Sequence, residues 1–439
     1  MNLPRNVAFC MDRLEGAGYP TYAVGGCVRD DCLGLQPHDY DLCTAATPEE
    51  TERVFSDQRL VLAGKKHGTV GVVRQEEVVE ITTFRQEGGY ADNRHPDWVR
   101  FVTGIEEDLA RRDFTVNAMA WSPTRGFADP FGGREDLKKG VLRAVGDPRQ
   151  RFREDSLRIL RGVRFAVRYH LEPEPETAAA MEELSPLMDG LARERVFDEL
   201  CRLLPTVTAG DLIRFAPVLT QVIPELRPML GFDQRSPHHA YDLYTHVAHV
   251  VEAVPGTLPL RWAALLHDVG KIPCFTTDET GRGHFYGHAG VGAEMAEEIL
   301  RRLKAPNALR EQVVTLIASH MTRLEEDPKF LKRRLRSLGW ETMEQLLLLQ
   351  EADMGSKGTG NPEELHQFSR IQALLETIRR EQACLTLRDL AVKGDDLMAL
   401  GFSGRQIGTA LNQLLEAVVE ETLPNDREAL LEAAKQFRP

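Results

Sequence analysis

The stretch GGCVRDDCLGLQPHDYDLCT (25–44) decides the reading of the front of this chain. TYAVGG (21–26) reads as a short strand ending in Gly25 and Gly26, and Val28-Arg29-Asp30 reads as the start of a helix. Backbone N–H groups at such a turn cradle phosphates, and Arg29 adds positive charge. An ordinary tight turn has the same local sequence. HDYDLCT (38–44) reads as a second strand, with Asp39 and Asp41 at i and i+2. In a strand that spacing puts both carboxylates on one face. Aspartate is depleted in strands, and two like charges side by side repel. Either the pair sits on a solvated strand end, or cations resolve the repulsion. Two Mg²⁺ ions about 3.5–4 Å apart would do so and would carry phosphoryl-transfer chemistry.

Outward from this stretch the pattern keeps alternating. TPEETERVF (47–55) opens a helix with a Thr cap and Pro at the first helical position. GTVGVVR (68–74) and EVVEITTF (77–84) predict a hairpin across Gln75 and Glu76. FTVNAMAW (114–121) is a further strand candidate, and the polar, glycine-containing RQEGGYADNRHPDW (85–98) reads as a mobile loop. From about Arg134 the strand signal stops and helices follow to roughly Leu230. QRSPHHA (234–240) is a joint. A His-rich helical block runs to about Gly360, interrupted by GTGNPEE (358–364), and the last stretch is helical with LGFSGRQIG (400–408) as a turn. The fold class is therefore α+β, with an α/β head and an all-α remainder.

Composition bounds the function. At ~150 residues per domain, 439 residues imply about three domains. With 42% hydrophobic and 28% charged residues the chain is an ordinary soluble globular sequence, which excludes wholesale disorder and collagen-like repeats. No run approaches ~18 apolar residues, so no membrane span is expected. MNLPRNVAFCMDRLEGAGYP (1–20) lacks a basic segment followed by an apolar one and does not read as a secretory signal. Seven scattered cysteines without a CxxC read as reduced thiols of a cytoplasmic protein. The net charge of −13 argues against nonspecific nucleic-acid binding. Between Arg143 and Arg168, however, eight Arg meet only Asp147, Glu154 and Asp155, a basic stripe that suits a polyanion.

A phosphate-cradling turn followed by a metal-binding DxD is the layout of nucleotidyltransferases. The sequence resembles the class II tRNA nucleotidyltransferases, the CCA-adding enzymes, and their poly(A) polymerase relatives. The resemblance continues through RRDFTVNAMA (111–120), DPFGGREDL (129–137), REDSLRILRGVRF (153–165) and ERVFDEL (194–200), so it spans roughly the first 200 residues. It implies a nucleotidyltransferase head over 1–133 and a helical neck with base-selecting and RNA-binding helices over 134–230. It also implies an HD domain over 231–360 and a helical tRNA-binding region over 361–439. The implied activity is template-independent addition of the 3′-terminal CCA of tRNA from CTP and ATP, with two Mg²⁺ at Asp39 and Asp41.

Glu154 to Arg161 reads as a helix start on which Asp155 and Arg158, three apart, meet. From spacing alone they form a surface ion pair contributing about 0.3–0.5 kcal/mol. Chemistry offers another reason. Cytosine and adenine both present an amino donor beside a ring-nitrogen acceptor, which a carboxylate and a guanidinium complement. Guanine and uracil reverse that pattern. The resemblance implies that Asp155 and Arg158 select the base, and that Arg161 and Arg164 extend the basic stripe toward phosphate. It further implies phosphate and ribose contacts for Arg111, Arg112 and Asp113, whose bland reading is a charge cluster at a strand start. Asn117 suits a structural role, and Glu80 is a candidate third carboxylate for the Asp39/Asp41 metals.

In the rear half His246, His267, Asp268 and Asp353 fall in YTHVAHV, LLHDVGK and EADMGS, the order seen in HD phosphohydrolase domains. Imidazoles with carboxylates suit a divalent transition metal. His288 (YGHAG) and His320 (ASHMT) supply enough for a second. Such a domain would hydrolyse phosphoesters at RNA ends, or persist as a scaffold. His238, His239, His249 and His284 carry no assigned role. LRDLAVKGDDLMALGFSGRQIGTALNQLLEAVVEE (387–421) resembles the helical body of CCA-adding enzymes, with Arg388, Lys393 and Arg405 facing either tRNA or solvent. The rivals are CC-adding, A-adding or poly(A) activity on the same fold, an HD phosphohydrolase with an RNA-binding front, and a non-catalytic RNA-binding protein. The resemblance links the presence of the 85–98 loop to competence in adding A.

Overall fold

A seven-stranded mixed sheet organises the front unit, residues Met1–Val207 with Arg214–Arg227. The computed structural model describes residues 1–88, 98–237, 240–358 and 362–437. The strands are β1 (Thr21–Val24), β2 (Asp41–Thr44), β3 (Arg59–Val61), β4 (Thr69–Arg74), β5 (Glu77–Thr83), β6 (Arg85–Gly88), β7 (Trp98–Phe101), β8 (Ala120–Ser122) and β9 (Gly126–Ala128). The sheet order is β3-β4-β5-β2-β1-β8-β9, and only the β2–β5 pair is parallel. Helix α1 (Arg5–Gly16) turns Val7, Cys10, Met11 and Leu14 inward, the 3–4 spacing of an amphipathic helix. α2 (Gly26–Cys32) follows β1, and α3 (Pro48–Val54) carries the expected capping box from Thr47 and Glu50.

The 74–77 hairpin forms as read, with Gln75 and Glu76 at φ 48° and 68° and Arg74 opposite Glu77. Two left-handed residues give the turn the twist that antiparallel strands need. Three expectations are corrected. HDYDLCT is strand only from Asp41, so Asp39 precedes β2 instead of lying on it. β1 ends at Val24, whose partner is Asp41, and the chain then turns into α2, leaving Asp39 and Tyr40 no strand to pair with. FTVNAMAW is strand only at its end. Thr115–Asn117 is a 3₁₀ turn in which the Thr115 hydroxyl donates to Asp136 and the Asn117 amide to Asp113. Side chains that bond locally compete with a ladder. The segment 85–98 is not loop at its ends, because β6 and β7 pair antiparallel from Arg85–Phe101 to Gly88–Trp98. The glycine and polar residues of 89–97 lie outside the described residues.

Strand pairing also recurs after Arg134, where Val141–Leu142 pairs with Glu172–Pro173 and Thr276–Thr277 pairs with Gly283–His284. α4 (Ile105–Ala110) leads into the Arg111-Arg112 motif, and α5 (Gly133–Lys139) follows β9. α6 (Pro148–Glu154) is capped by Asp147 and stops before Asp155, which is extended. α7 (Leu157–Tyr169) starts two residues later than a continuous helix would require, and buries Leu157, Leu160, Val163 and Val167. α8 (Pro175–Glu183) and α9 (Arg193–Leu203) complete the helical part that bears on the site.

The rear unit, Thr208–Ile213 with Pro228–Pro439, is helical. Its helix Leu243–Ala253 is capped by Asp242, which accepts from the Tyr244 and Thr245 amides. One apolar core gathers Leu331, Met343, Leu347 and Ile371, and another Val392, Leu397, Leu414 and Leu430. Among the described residues no helix is long and apolar enough to cross a membrane.

Candidate active site and a buried histidine–aspartate centre

At the C-terminal end of β1, Gly25 adopts φ 73° and its amide donates to the Met119 carbonyl. That backbone conformation disfavours any side chain, and an added Cβ would lie 2.7 Å from Arg112 Nη1 and displace the guanidinium. The turn opens onto a cavity of about 430 Å³. Its wall includes Gly25, Gly26, Arg29 and Asp41 from the first motif and Arg111, Arg112, Asp113 and Asn117 from the second. Asp155, Arg158, Arg161 and Arg195 close the other side. Asp39, Glu80 and Arg164 are not part of this wall.

Asp41 is reached by solvent at the strand start, yet the protein packed around it raises its carboxyl; Arg112 opposes that rise and Asp39 adds to it. Glu80 precedes Ile81, the partner of Leu42 in the parallel β2–β5 register, so it stands level with Asp41. The side-chain carboxylates of Asp39, Asp41 and Glu80 take no hydrogen bond or ion pair from a described residue.

The arginines are held by buried carboxylates. Asp108, fully buried on α4, accepts from Arg111 Nε at 3.0 Å and Nη2 at 2.9 Å, from Arg112 Nη2 at 3.5 Å, and from the Arg85 amide at 3.3 Å. Burial works against its ionisation, but Arg111 and Arg112 win and hold its carboxyl below the usual range. Asp113 Oδ2 accepts from Arg161 Nε and Nη2 at 2.9 and 2.8 Å, while Oδ1 accepts from the Phe114 amide and from Asn117 Nδ2. Burial opposes its charge too, yet Arg161 and Asn117 bring it down to about 2. Arg29 is buried, donates to Asn117 Oδ1 and Asp30, and lies 4.1 Å from the centre of the Tyr169 ring.

Asp155 and Arg158 do not pair with each other, contrary to the helix-start reading. The break between α6 and α7 separates them. Asp155 instead accepts from Arg195 at 2.8 and 3.3 Å, and Arg158 donates to Glu154 at 2.8 Å and to the Arg151 and Arg111 carbonyls. The basic stripe is also largely neutralised. Arg161 pairs with Asp113, Arg164 with Glu199 at 2.5 Å, Arg149 with Glu183 and Arg143 with Asp136.

In the rear unit four helices and a turn bring the histidines together. His246 Nε2 lies 3.0 Å from Asp353 Oδ1, and His267 Nε2 lies 3.2 Å from Asp268 Oδ2. His288, at a helix start, and His320, at a helix end, join the same centre. Gly270 allows the approach: a Cβ there would be 2.3 Å from the His288 carbonyl. Burial opposes charge throughout. Even so, Asp268 and Asp353 raise His267, while His267 and Lys271 hold Asp268 well below the usual carboxylate range. His320 is pushed down to about 4 by burial and by His267. Of the unassigned histidines, His249 packs on Tyr241, His284 pairs with Asp278, and His238 and His239 lie outside the described residues. Lys393 donates to the Leu390 carbonyl at 2.8 Å, within its own turn.

Comparison with known proteins places this geometry. Residues 21–143 match the family described as poly A polymerase head domain, 170–228 a probable RNA- and SrmB-binding site of polymerase A, and 275–434 a putative tRNA nucleotidyltransferase domain 2. The CCA-adding enzyme of Streptococcus mutans is 33% identical over 432 residues, 97% of this chain and 95% of that protein. That of Bacillus velezensis is 32% identical, over 96% of this chain and 95% of that protein. The chain belongs to the class II CCA-adding enzymes. The Bacillus stearothermophilus CCA-adding enzyme, solved in complex with CTP, matches with a TM-score of 0.71 and 28% identity, over 99% of this chain and 98% of that one.

For a class II CCA-adding enzyme, sequence reasoning overlooked Asp108, Arg195 and Glu199. Each had a signal. Asp108 stands three and four residues before Arg111 and Arg112, the helical ion-pair spacing. Arg195 and Glu199 are i and i+4 on α9, a helix whose other side is apolar.

Proposed function

We propose that this protein adds or repairs the CCA end of tRNA from CTP and ATP without a nucleic-acid template. The single observation that carries the reading is one cavity wall. It holds Asp41 with Arg111 and Arg112 at one part and Asp155 with Arg158 at another. The first group suits a triphosphate and the second the edge of a base. Asp39 and Asp41 suit two Mg²⁺, since Asp39 lies near enough to raise the Asp41 carboxyl and no protein cation is bonded to either, and Glu80, level with Asp41 in the strand register, is the candidate third carboxylate. When bound, such ions activate the attacking 3′-hydroxyl and neutralise the triphosphate and leaving pyrophosphate. The chain's own residues do the rest. Arg111 and Arg112 bind phosphate oxygens. The Asp155 carboxylate accepts from the exocyclic amino group of cytosine or adenine, and Arg158 donates to the adjacent ring nitrogen. Asp113, with both oxygens engaged, orients Arg161 and Asn117.

We assign residues 1–133 as the catalytic head, 134–230 as the neck, 231–360 as an HD domain and 361–439 as a tRNA-binding region of a cytoplasmic enzyme. In the HD domain His246, His267, Asp268 and Asp353 would hold a divalent transition metal for hydrolysis of phosphoesters at RNA ends. The chemistry of the donors supports this, as buried imidazoles and carboxylates with unbonded Nε2 atoms on His267, His288 and His320.

The test uses labelled CTP and ATP on three tRNAs, ending before CCA, after C and after CC. Addition to all three supports full CCA synthesis. Use of only the CC-ended tRNA would make the protein A-adding, and growth stopping at CC would make it CC-adding. No incorporation at all would leave the rear centre as the principal activity.

A further inference from the structure

We infer that Tyr169, the last residue of α7, is a positioning residue that sets the Arg29 guanidinium at the phosphate end of the front cavity. This rests on the reading above that the cavity takes a nucleoside triphosphate. Gly26, Arg29 and Phe165 share the cavity wall. An added Cβ on Gly26 would lie 3.5 Å from Arg29 Nη2, so the guanidinium is folded back against the turn that suits a phosphate. Arg29 is buried, and its direction is therefore set by the groups that hold it.

Three side chains do so. Asp30 Oδ1 accepts from Arg29 Nε at 2.9 Å and from Nη2 at 2.7 Å, Asn117 Oδ1 accepts from Nη1, and the Tyr169 hydroxyl accepts from Nη2. A guanidinium carries five N–H donors. Among the described residues these partners engage one on Nε, two on Nη2 and one on Nη1, which leaves a single Nη1 hydrogen for a ligand. Tyr169 acts a second way. Its ring centre lies 4.1 Å from Arg29 Cζ and that of Phe165 5.4 Å, so aromatic faces fix the plane of the fork. Burial raises the Tyr169 hydroxyl above its ordinary value, and it meets Arg29 as a neutral acceptor.

One face of α7 carries Arg161, Phe165 and Tyr169, each four residues from the next. Arg161 bonds Asp113, Asp113 bonds Asn117, and Asn117 bonds Arg29. Tyr169 returns that chain of bonds to the helix it left. The two ends of the bracket stand about 12 Å apart along α7, at 1.5 Å per residue. Arg158, proposed to read the base, sits on the same helix one turn before Arg161. Asp30 and Asn117 belong to the same part of the chain as Arg29, whereas Tyr169 refers Arg29 directly to the helix of Arg158. It thereby holds the phosphate end of the cavity at a set distance from the base end.

The experiment measures calorimetric binding of CTP, ATP and inorganic pyrophosphate with Mg²⁺, beside labelled-nucleotide addition. It uses the full chain and its Tyr169→Ala, Tyr169→Phe, Arg29→Ala and doubly substituted Arg29→Ala/Tyr169→Ala variants. Loss of the stacked ring and the hydroxyl bond in Tyr169→Ala should raise Kd for all three ligands by one factor, about tenfold. The preference for CTP over UTP should not change, because the base end is untouched. Tyr169→Phe keeps the ring and should lose less. The double variant should bind no worse than Arg29→Ala, since Tyr169 acts through Arg29. Unaltered Kd values in Tyr169→Ala, or losses that add in the double variant, overturn the inference. If Tyr169→Ala misfolds, Tyr169→Phe with Arg29→Ala completes the same cycle. Tyr169-dependent binding without any nucleotide addition upholds the positioning and overturns the addition reading, and a parent protein that binds none of the ligands overturns both.

Discussion

Arg195 grips both oxygens of Asp155, at 2.8 and 3.3 Å, from a helix that begins thirty-eight residues further along the chain. The carboxylate proposed to read the base is thus aimed before any nucleotide arrives. Arg195→Ala should leave that carboxylate free to swing. Misincorporation of UTP and GTP should rise, while the unfolding midpoint falls only modestly for a partly exposed pair. A well-placed base-reading pair is worth about 1–3 kcal/mol, or roughly 5–150-fold in discrimination. Arg195→Ala should lose part of that and Asp155→Ala most of it. Unaltered selectivity in both variants would reduce the pair to a surface salt bridge.

Replacing Asp39 and Asp41 together by Ala should abolish nucleotide addition without loss of fold. Neither carboxylate bonds to another described residue, and Asp41 is raised by its surroundings and by Asp39, so nothing in the fold depends on their charge. Circular dichroism checks the fold and CTP incorporation the activity. Measurable incorporation by the folded variant sinks the metal assignment.

Asp113 should make stability fall in acid. Its carboxyl is brought from the ordinary 3.8 to about 2 in the folded protein. A depressed carboxyl stabilises above its unfolded value and loses that contribution as pH falls through the folded one. The window is therefore about pH 4 down to about 2, and the full contribution is on the order of 2 kcal/mol. Asp113→Asn should be less stable at neutral pH and show a flatter pH dependence across that window. Parallel curves for the two proteins would refute the linkage.

His267→Ala with Asp268→Ala should remove any phosphoesterase activity and leave CCA addition near the parent rate, because these residues belong to the rear unit and the addition site to the front one. A matching loss of both activities would argue against separate sites.

Much of the front site is legible in the sequence because its signals are local. Gly25-Gly26 announces a turn, and the hairpin at Gln75-Glu76 follows from alternation on both sides. What fails is what depends on partners far along the chain. Asp39 leaves the strand because β1 has already turned away. FTVNAMAW looks like a strand, but Thr115 and Asn117 find Asp136 and Asp113 instead. Arg161 and Arg164 look like free cations until Asp113 and Glu199 are brought to them. The rear centre reads well for the opposite reason: buried histidines next to an aspartate have few structural uses.

Glu199 and Arg195 also fix how far an independently working front piece must extend. A chain cut after α7 would keep Asp39, Asp41, Arg111, Arg112 and Asp155. It would lose the carboxylate that neutralises buried Arg164 and the guanidinium that steadies Asp155. Such a fragment would carry an uncompensated cation in its interior. The shortest autonomous fragment therefore ends beyond Leu203, well past the last residue proposed to touch a nucleotide.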